Sequence, residues 1–128
     1  MPPPKLQAVQ VFGRRDSRET RKALRFFRER RTPVQFVDLA VRPLAPTELR
    51  RFCERLGPDA LLDTTGRRYR DLGLAFIRFE GTDLFDRLFA DPALLRQPLV
   101  RHENRFAVGD DPATWRLMAG AAGGPVRP

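Results

Sequence analysis

Phe12-Gly13-Arg14-Arg15-Asp16-Ser17-Arg18-Glu19-Thr20-Arg21-Lys22-Ala23 is the stretch on which the reading of this chain turns. The short apolar run Ala8 to Phe12 fits a buried strand and stops at Gly13. A helical pattern begins near Ser17, with Asp16 and Ser17 both suited to cap it and Glu19 placed as in a capping box. Thr20, Ala23, Leu24 and Phe27 recur at i, i+3, i+4 and i+7, one buried helix face. Arg18, Arg21, Lys22, Arg25 and Arg28 fall on the opposite face, and Phe26 stands at its border, partly exposed. The twelve residues contain no cysteine.

Thr32-Pro33 ends the helix, and Val34 to Leu39 alternates as a second strand. Strand, helix and strand within some thirty residues predict a βαβ unit with parallel strands and a right-handed crossover. Leu49, Phe52, Cys53 and Leu56 mark another helix, with Gly57 closing it. Short helical turns are expected over Asp59–Leu62 and Arg67–Leu74, a helix over Asp83–Ala90, and one more turn from Asp91-Pro92. Leu99–His102 and Arg105–Val108 predict a β-hairpin around Glu103-Asn104, and Pro112–Met118 a last helix carrying Trp115 and Met118. The domain is expected over 6–119, with flexible tails at 1–5 and 120–128.

The order β-α-β, several helices, β-β-α is the outline of an α/β thioredoxin-like fold: a mixed sheet of glutaredoxin type with flanking helices and a helical insert. At 128 residues, 41% of them hydrophobic, one domain can form a core. No apolar run reaches the ~18–20 residues of a membrane span. Met1-Pro2-Pro3-Pro4-Lys5 lacks the apolar segment of a secretion signal, so a soluble cytoplasmic protein is expected, with no membrane partner. One cysteine, Cys53, leaves no intramolecular disulfide, CxxC pair or cysteine metal cluster. It falls on an apolar helix face, where a buried structural thiol is the ordinary role.

The formal net charge is +8, and Arg14 to Arg31 alone carries nine basic and three acidic residues. Such a patch attracts anions, nucleic acid or an acidic protein surface; a solvated Arg-rich helix face accounts for the same pattern. Aromatic residues do not interleave with the basic run, so nucleic acid has the least support.

Four segments, in order, resemble the arsenate reductase (ArsC)/Spx family. Phe12-Gly13 leading to Arg21-Lys22-Ala23-Leu24 is similar to its strand, loop and "RKAL" helix. Asp38, Pro43-Leu44 and Glu48-Leu49 match its second segment. Thr65-Gly66-Arg67-Arg68-Tyr69-Arg70-Asp71-Leu72-Gly73-Leu74 and Asp91-Pro92-Ala93-Leu94-Leu95-Arg96-Gln97-Pro98-Leu99-Val100 match its third and fourth.

The resemblance implies a redox cysteine at the position of Ser17, with Thr20 where some members carry a second. It implies oxyanion-holding arginines at the positions of Gln97 and Asp63, a surviving arginine at Arg105, and a cis bond before Pro98. Ser17 cannot form a mixed disulfide with glutathione, and no base is visible to activate it. The only histidine, His102, is expected at the surface or satisfied within the hairpin. Fold determinants are retained while those of thiol chemistry are replaced.

Two functions follow as expectations. The first is a non-catalytic binding or regulatory module without a cofactor. Ser17, Arg18, Arg21 and Arg105 are its anion-binding candidates, and the Spx branch implies RNA polymerase as a partner. The alternative is a divergent arsenate reductase-like or glutathione-linked oxidoreductase, in which Cys53 acts or Ser17 binds glutathione without covalent chemistry. No metal site is expected.

Overall fold

The computed structural model describes residues 8–122. The expectations for residues 1–7 and 123–128 lie outside the described residues. Two compact units are formed: one from Met1–Arg42 and Gln97–Pro128, the other from Pro43–Arg96.

The first unit is built on β1 (Val9–Gly13), with Val9, Val11 and Phe12 buried. β1 runs parallel to β2 (Val34–Asp38), in register Val9 to Val34 through Gly13 to Asp38. The crossover is α1 (Arg18–Glu29). On its other side β1 pairs antiparallel with β3 (Leu99–His102), which forms a hairpin with β4 (Arg105–Val108). The sheet order is therefore β2-β1-β3-β4.

The last helix of the chain, α6 (Pro112–Ala122), lies beside α1 over one face of this sheet. Val9, Val11, Val100 and Ala107 from the strands meet Ala23 and Phe27 of α1 and Trp115, Met118, Ala119 and Ala122 of α6. The periodicity of α1 explains its position, because Thr20, Ala23 and Phe27 are its buried residues. Truncating Phe27, which is fully buried, would cost about 3–5 kcal/mol. Phe26 is half-buried at the border and packs edge-on against Trp115, with ring centroids 5.5 Å apart.

Two expectations are corrected here. The last helix does not stop at Met118 but continues through Gly120 to Ala122, because Ala119 and Ala122 are themselves core residues. His102 is not at the surface. It is buried on the same alternation of β3 as Val100, and its Nε2 has no hydrogen-bond partner among the described residues.

The second unit contains four helices: α2 (Pro46–Leu56), α3 (Pro58–Leu61), α4 (Arg67–Asp71) and α5 (Asp83–Ala90). Single 3-10 turns cover Leu74–Phe76 and Pro92–Leu94. Leu49 and Phe52 of α2, Leu61 of α3, and Leu84 and Leu88 of α5 are buried. A bridge between Leu62 and Leu95 is closed by Asp63 N–H donating to the Leu94 carbonyl and Arg96 N–H to the Leu61 carbonyl, each at 2.8 Å. The helical stretch expected over Arg67–Leu74 breaks at Gly73, whose φ of 64° ends the turn. Arg68 Nε holds Asp91 Oδ2 at 2.7 Å.

Charge divides unevenly between the units. The first carries fifteen basic and seven acidic residues and so the whole net charge of +8; the second carries nine of each.

Candidate functional site

β1 delivers the chain into the loop Arg14–Ser17, which opens α1. Gly13 is required at the junction because a Cβ there would run into the Thr20 side chain. Its carbonyl accepts from Leu39 N–H at 2.8 Å, tying the loop to the end of β2. Ser17 has extended backbone geometry and is the N-cap of α1. Its Oγ accepts from Thr20 N–H at 3.2 Å, and its carbonyl accepts from Arg21 N–H at 3.0 Å. Ser17 N–H in turn donates to the Arg14 carbonyl at 3.0 Å. Of the first helical amides, those of Arg18 and Glu19 are left without an intrachain acceptor among the described residues.

Gln97 closes the loop from the start of the hairpin. Its Oε1 accepts from Arg14 N–H at 2.7 Å and from Thr20 Oγ at 3.4 Å. The Gln97–Pro98 bond is cis. A carbonyl oxygen thus stands where the family resemblance places a cationic guanidinium, and it is used for the loop's own structure.

The charges around the loop are largely engaged. Arg14 Nε pairs with Asp16 at 3.2 Å, and this hydrogen bond is the main reason the Asp16 carboxyl lies below the ordinary carboxylate range. The same pair raises the Arg14 guanidinium. Arg15 reaches Asp38 at 4.0 Å and stands over the Phe36 ring. Arg21 Nη1 donates to the Arg15 carbonyl at 2.8 Å. Lys22 Nζ meets Asp110 Oδ2 at 2.9 Å, a contact between α1 and the segment after β4 that nothing in the sequence pattern signals. Arg18 and Arg25 have no such partner among the described residues.

Ser17, Arg18 and Arg21 are therefore brought together at one end of the sheet. Arg105 is not. At that end Leu99 pairs with Phe12 on one side and with Val108 on the other, whereas Arg105 pairs with His102 beyond them. Three ladder positions separate Arg105 from Val108, about 10 Å along the strand. It is exposed at the far edge of the hairpin. Asp63 belongs to the second unit, where its Oδ1 accepts from Thr65 N–H and Oγ.

Cys53 is half-buried on α2, and burial, then the Glu54 charge, push its thiol upward. That direction disfavours thiolate formation. Among the described residues no cluster of His, Cys, Asp and Glu could hold a metal ion, and no helix is long and apolar enough to cross a membrane.

The strand–loop–helix at Ser17 and the mixed sheet coincide with a family pattern: the ArsC family model matches residues 12–118. The chain belongs to the ArsC family. A solved structure named YffB is 19% identical, covers 88% of this chain and 99% of its own, and superposes with a TM-score of 0.79. An arsenate reductase from Vibrio cholerae is 18% identical over 87% of this chain and 97% of its own, with a TM-score of 0.74. An arsenate reductase related protein from Brucella melitensis is 19% identical over 86% and 92%, with a TM-score of 0.65. At these identities the likeness establishes the thioredoxin-like fold of the ArsC proteins and nothing finer. No curated protein matches this chain.

Proposed function

We propose that this ArsC-family chain is a non-catalytic binding module that engages an anionic partner at the first turns of α1. The observation that carries it is the use of Ser17 Oγ as the helix cap. A thiol nucleophile is replaced at that position by a hydroxyl already committed to Thr20 N–H. Gln97 places an acceptor beside it, not a cation, and Cys53 is biased toward the protonated thiol. Reduction of an oxyanion by thiol exchange needs a low-pKa thiolate, and no group in this loop supplies one.

Binding has more support. The Arg18 and Glu19 amides lie at the positive end of the α1 dipole, and Arg18, in the same turn, has no side-chain partner among the described residues. A small oxyanion or a carboxylate of a partner protein relieves the repulsion between that dipole end and its cations. The Spx resemblance implies RNA polymerase as one such partner, and a regulatory role through contact with it belongs to this proposal.

Titration with inorganic phosphate and with arsenate, followed by amide NMR shifts, tests the reading. The Arg18 and Glu19 amides are expected to move first, with Arg18→Gln weakening the effect. Unmoved amides at millimolar anion would refute it.

A further inference from the structure

Beside the helix end, and distinct from its amides, a groove of about 560 Å³ runs along the outer face of α1. Arg18, Glu19, Arg21, Lys22, Arg25 and Asp110 line it. We infer that this groove binds an acidic peptide segment of a protein partner, through carboxylates set against Arg18, Arg21 and Arg25. The inference rests on the binding-module reading above and names the class of partner.

The spacing sets the footprint. Arg18 and Arg25 lie seven residues apart on one helix, so their Cα atoms are separated by about 10 Å, with Arg21 between them. Acidic side chains at i, i+3 and i+7 of a helix repeat over the same distance. Alternate residues of an extended chain recur every ~7 Å and bridge two of the three cations. Arg18 and Arg25 have no intrachain partner among the described residues. Arg21 spends one Nη on the Arg15 carbonyl and keeps its other donors. A guanidinium fork matches a carboxylate bidentately, which favours Arg over Lys at such positions. Lys22, the one lysine in the row, is the residue held by Asp110.

Three observations favour a peptide over a nucleic acid. No aromatic residue lines the groove. The half-buried rings of this unit are already covered by its own arginines: Arg30 lies 3.6 Å over Phe26, Arg15 4.6 Å over Phe36 and Arg101 5.5 Å over Phe106. Beside the groove, bases would find no open stacking platform among the described rings of this unit. Finally, Glu19 and Asp110 stand among the cations. They repel an uninterrupted run of phosphates, whereas a peptide offers backbone N–H groups to them between its carboxylates.

The test uses the full chain with three probes: an octapeptide of alternating Glu and Ala, a thymidine octanucleotide, and inorganic phosphate. Binding is followed by fluorescence anisotropy for the labelled octamers and by amide NMR for all three. The expected result is peptide-induced shifts along Arg18–Arg25 and at Asp110. Affinity should fall about tenfold in the double variant R18E/R25E and about threefold in the milder R25Q, which guards against a folding defect. Octanucleotide binding equal to or tighter than peptide binding would overturn the inference, as would peptide shifts mapping elsewhere. Phosphate shifting the Arg18 and Glu19 amides while the peptide leaves the groove unmoved would overturn this inference alone. Silence toward all three probes would overturn both it and the binding-module reading.

Discussion

Replacing Ser17 by alanine separates a structural cap from a chemical group. The Oγ···N distance to Thr20 is 3.2 Å, at the long end of the hydrogen-bond range, which puts the bond itself in the lower half of the usual capping contribution. Thr20 is fully buried, so its N–H would be left without solvent to replace the lost acceptor. The two effects together give a loss of about 2 kcal/mol, and a fall in Tm of about 6–10 °C for a chain of this size. Urea unfolding followed by circular dichroism measures it as a lower midpoint at unchanged slope. Ser17→Asp keeps the acceptor and adds a negative charge at the positive helix end, beside Arg14 and Arg18, so it should match or exceed the native stability. A Ser17→Ala variant as stable as the native chain would refute the capping role, and with it the argument that the hydroxyl is already committed.

Three further outcomes follow from the same geometry. Gly13→Ala should destabilise by about 1–3 kcal/mol because its Cβ meets Thr20, and the double variant with Thr20→Ala should recover part of that loss in denaturation experiments. The Asp16 carboxyl should titrate below its ordinary value by NMR and return toward it in Arg14→Ala. Because its folded pKa is the lower one, the stability it contributes is present above the unfolded value near ~3.9 and is lost as pH falls through the folded value. Cys53 should react with a thiol reagent more slowly than a free cysteine at neutral pH, since burial raises its pKa, and Cys53→Ser should leave anion binding unchanged.

The β1–α1–β2 unit was legible because each element carries an unambiguous period. Valines and Phe12 crowd into a short run, while Thr20, Ala23 and Phe27 mark one helix face. The hairpin was legible from Glu103-Asn104 between two apolar runs, which became β3 and β4 over the expected residues. The end of α6 was not, because Gly120 and two alanines carry little hydrophobic signal, although Ala122 packs into the core. His102 looked like a polar hairpin residue, but strand alternation puts it on the buried face with Val100.

At the site, Ser17, Arg18 and Arg21 lie within one turn of helix, so local spacing placed them together. Arg105 lies at the other end of the ladder from them, and a position in a hairpin does not reveal which end it occupies. The Gln97 contacts and the Lys22–Asp110 pair join residues 77 to 88 positions apart, and no local pattern encodes such contacts.

The central claim is that this ArsC-family chain binds without thiol chemistry. Its most direct test is turnover of arsenate by the purified protein with excess glutathione and, separately, with a reduced thioredoxin system. No arsenite production above the protein-free blank is expected, with Cys53→Ser indistinguishable from the native chain. Turnover that disappears in Cys53→Ser would contradict it and establish a reductase operating from α2.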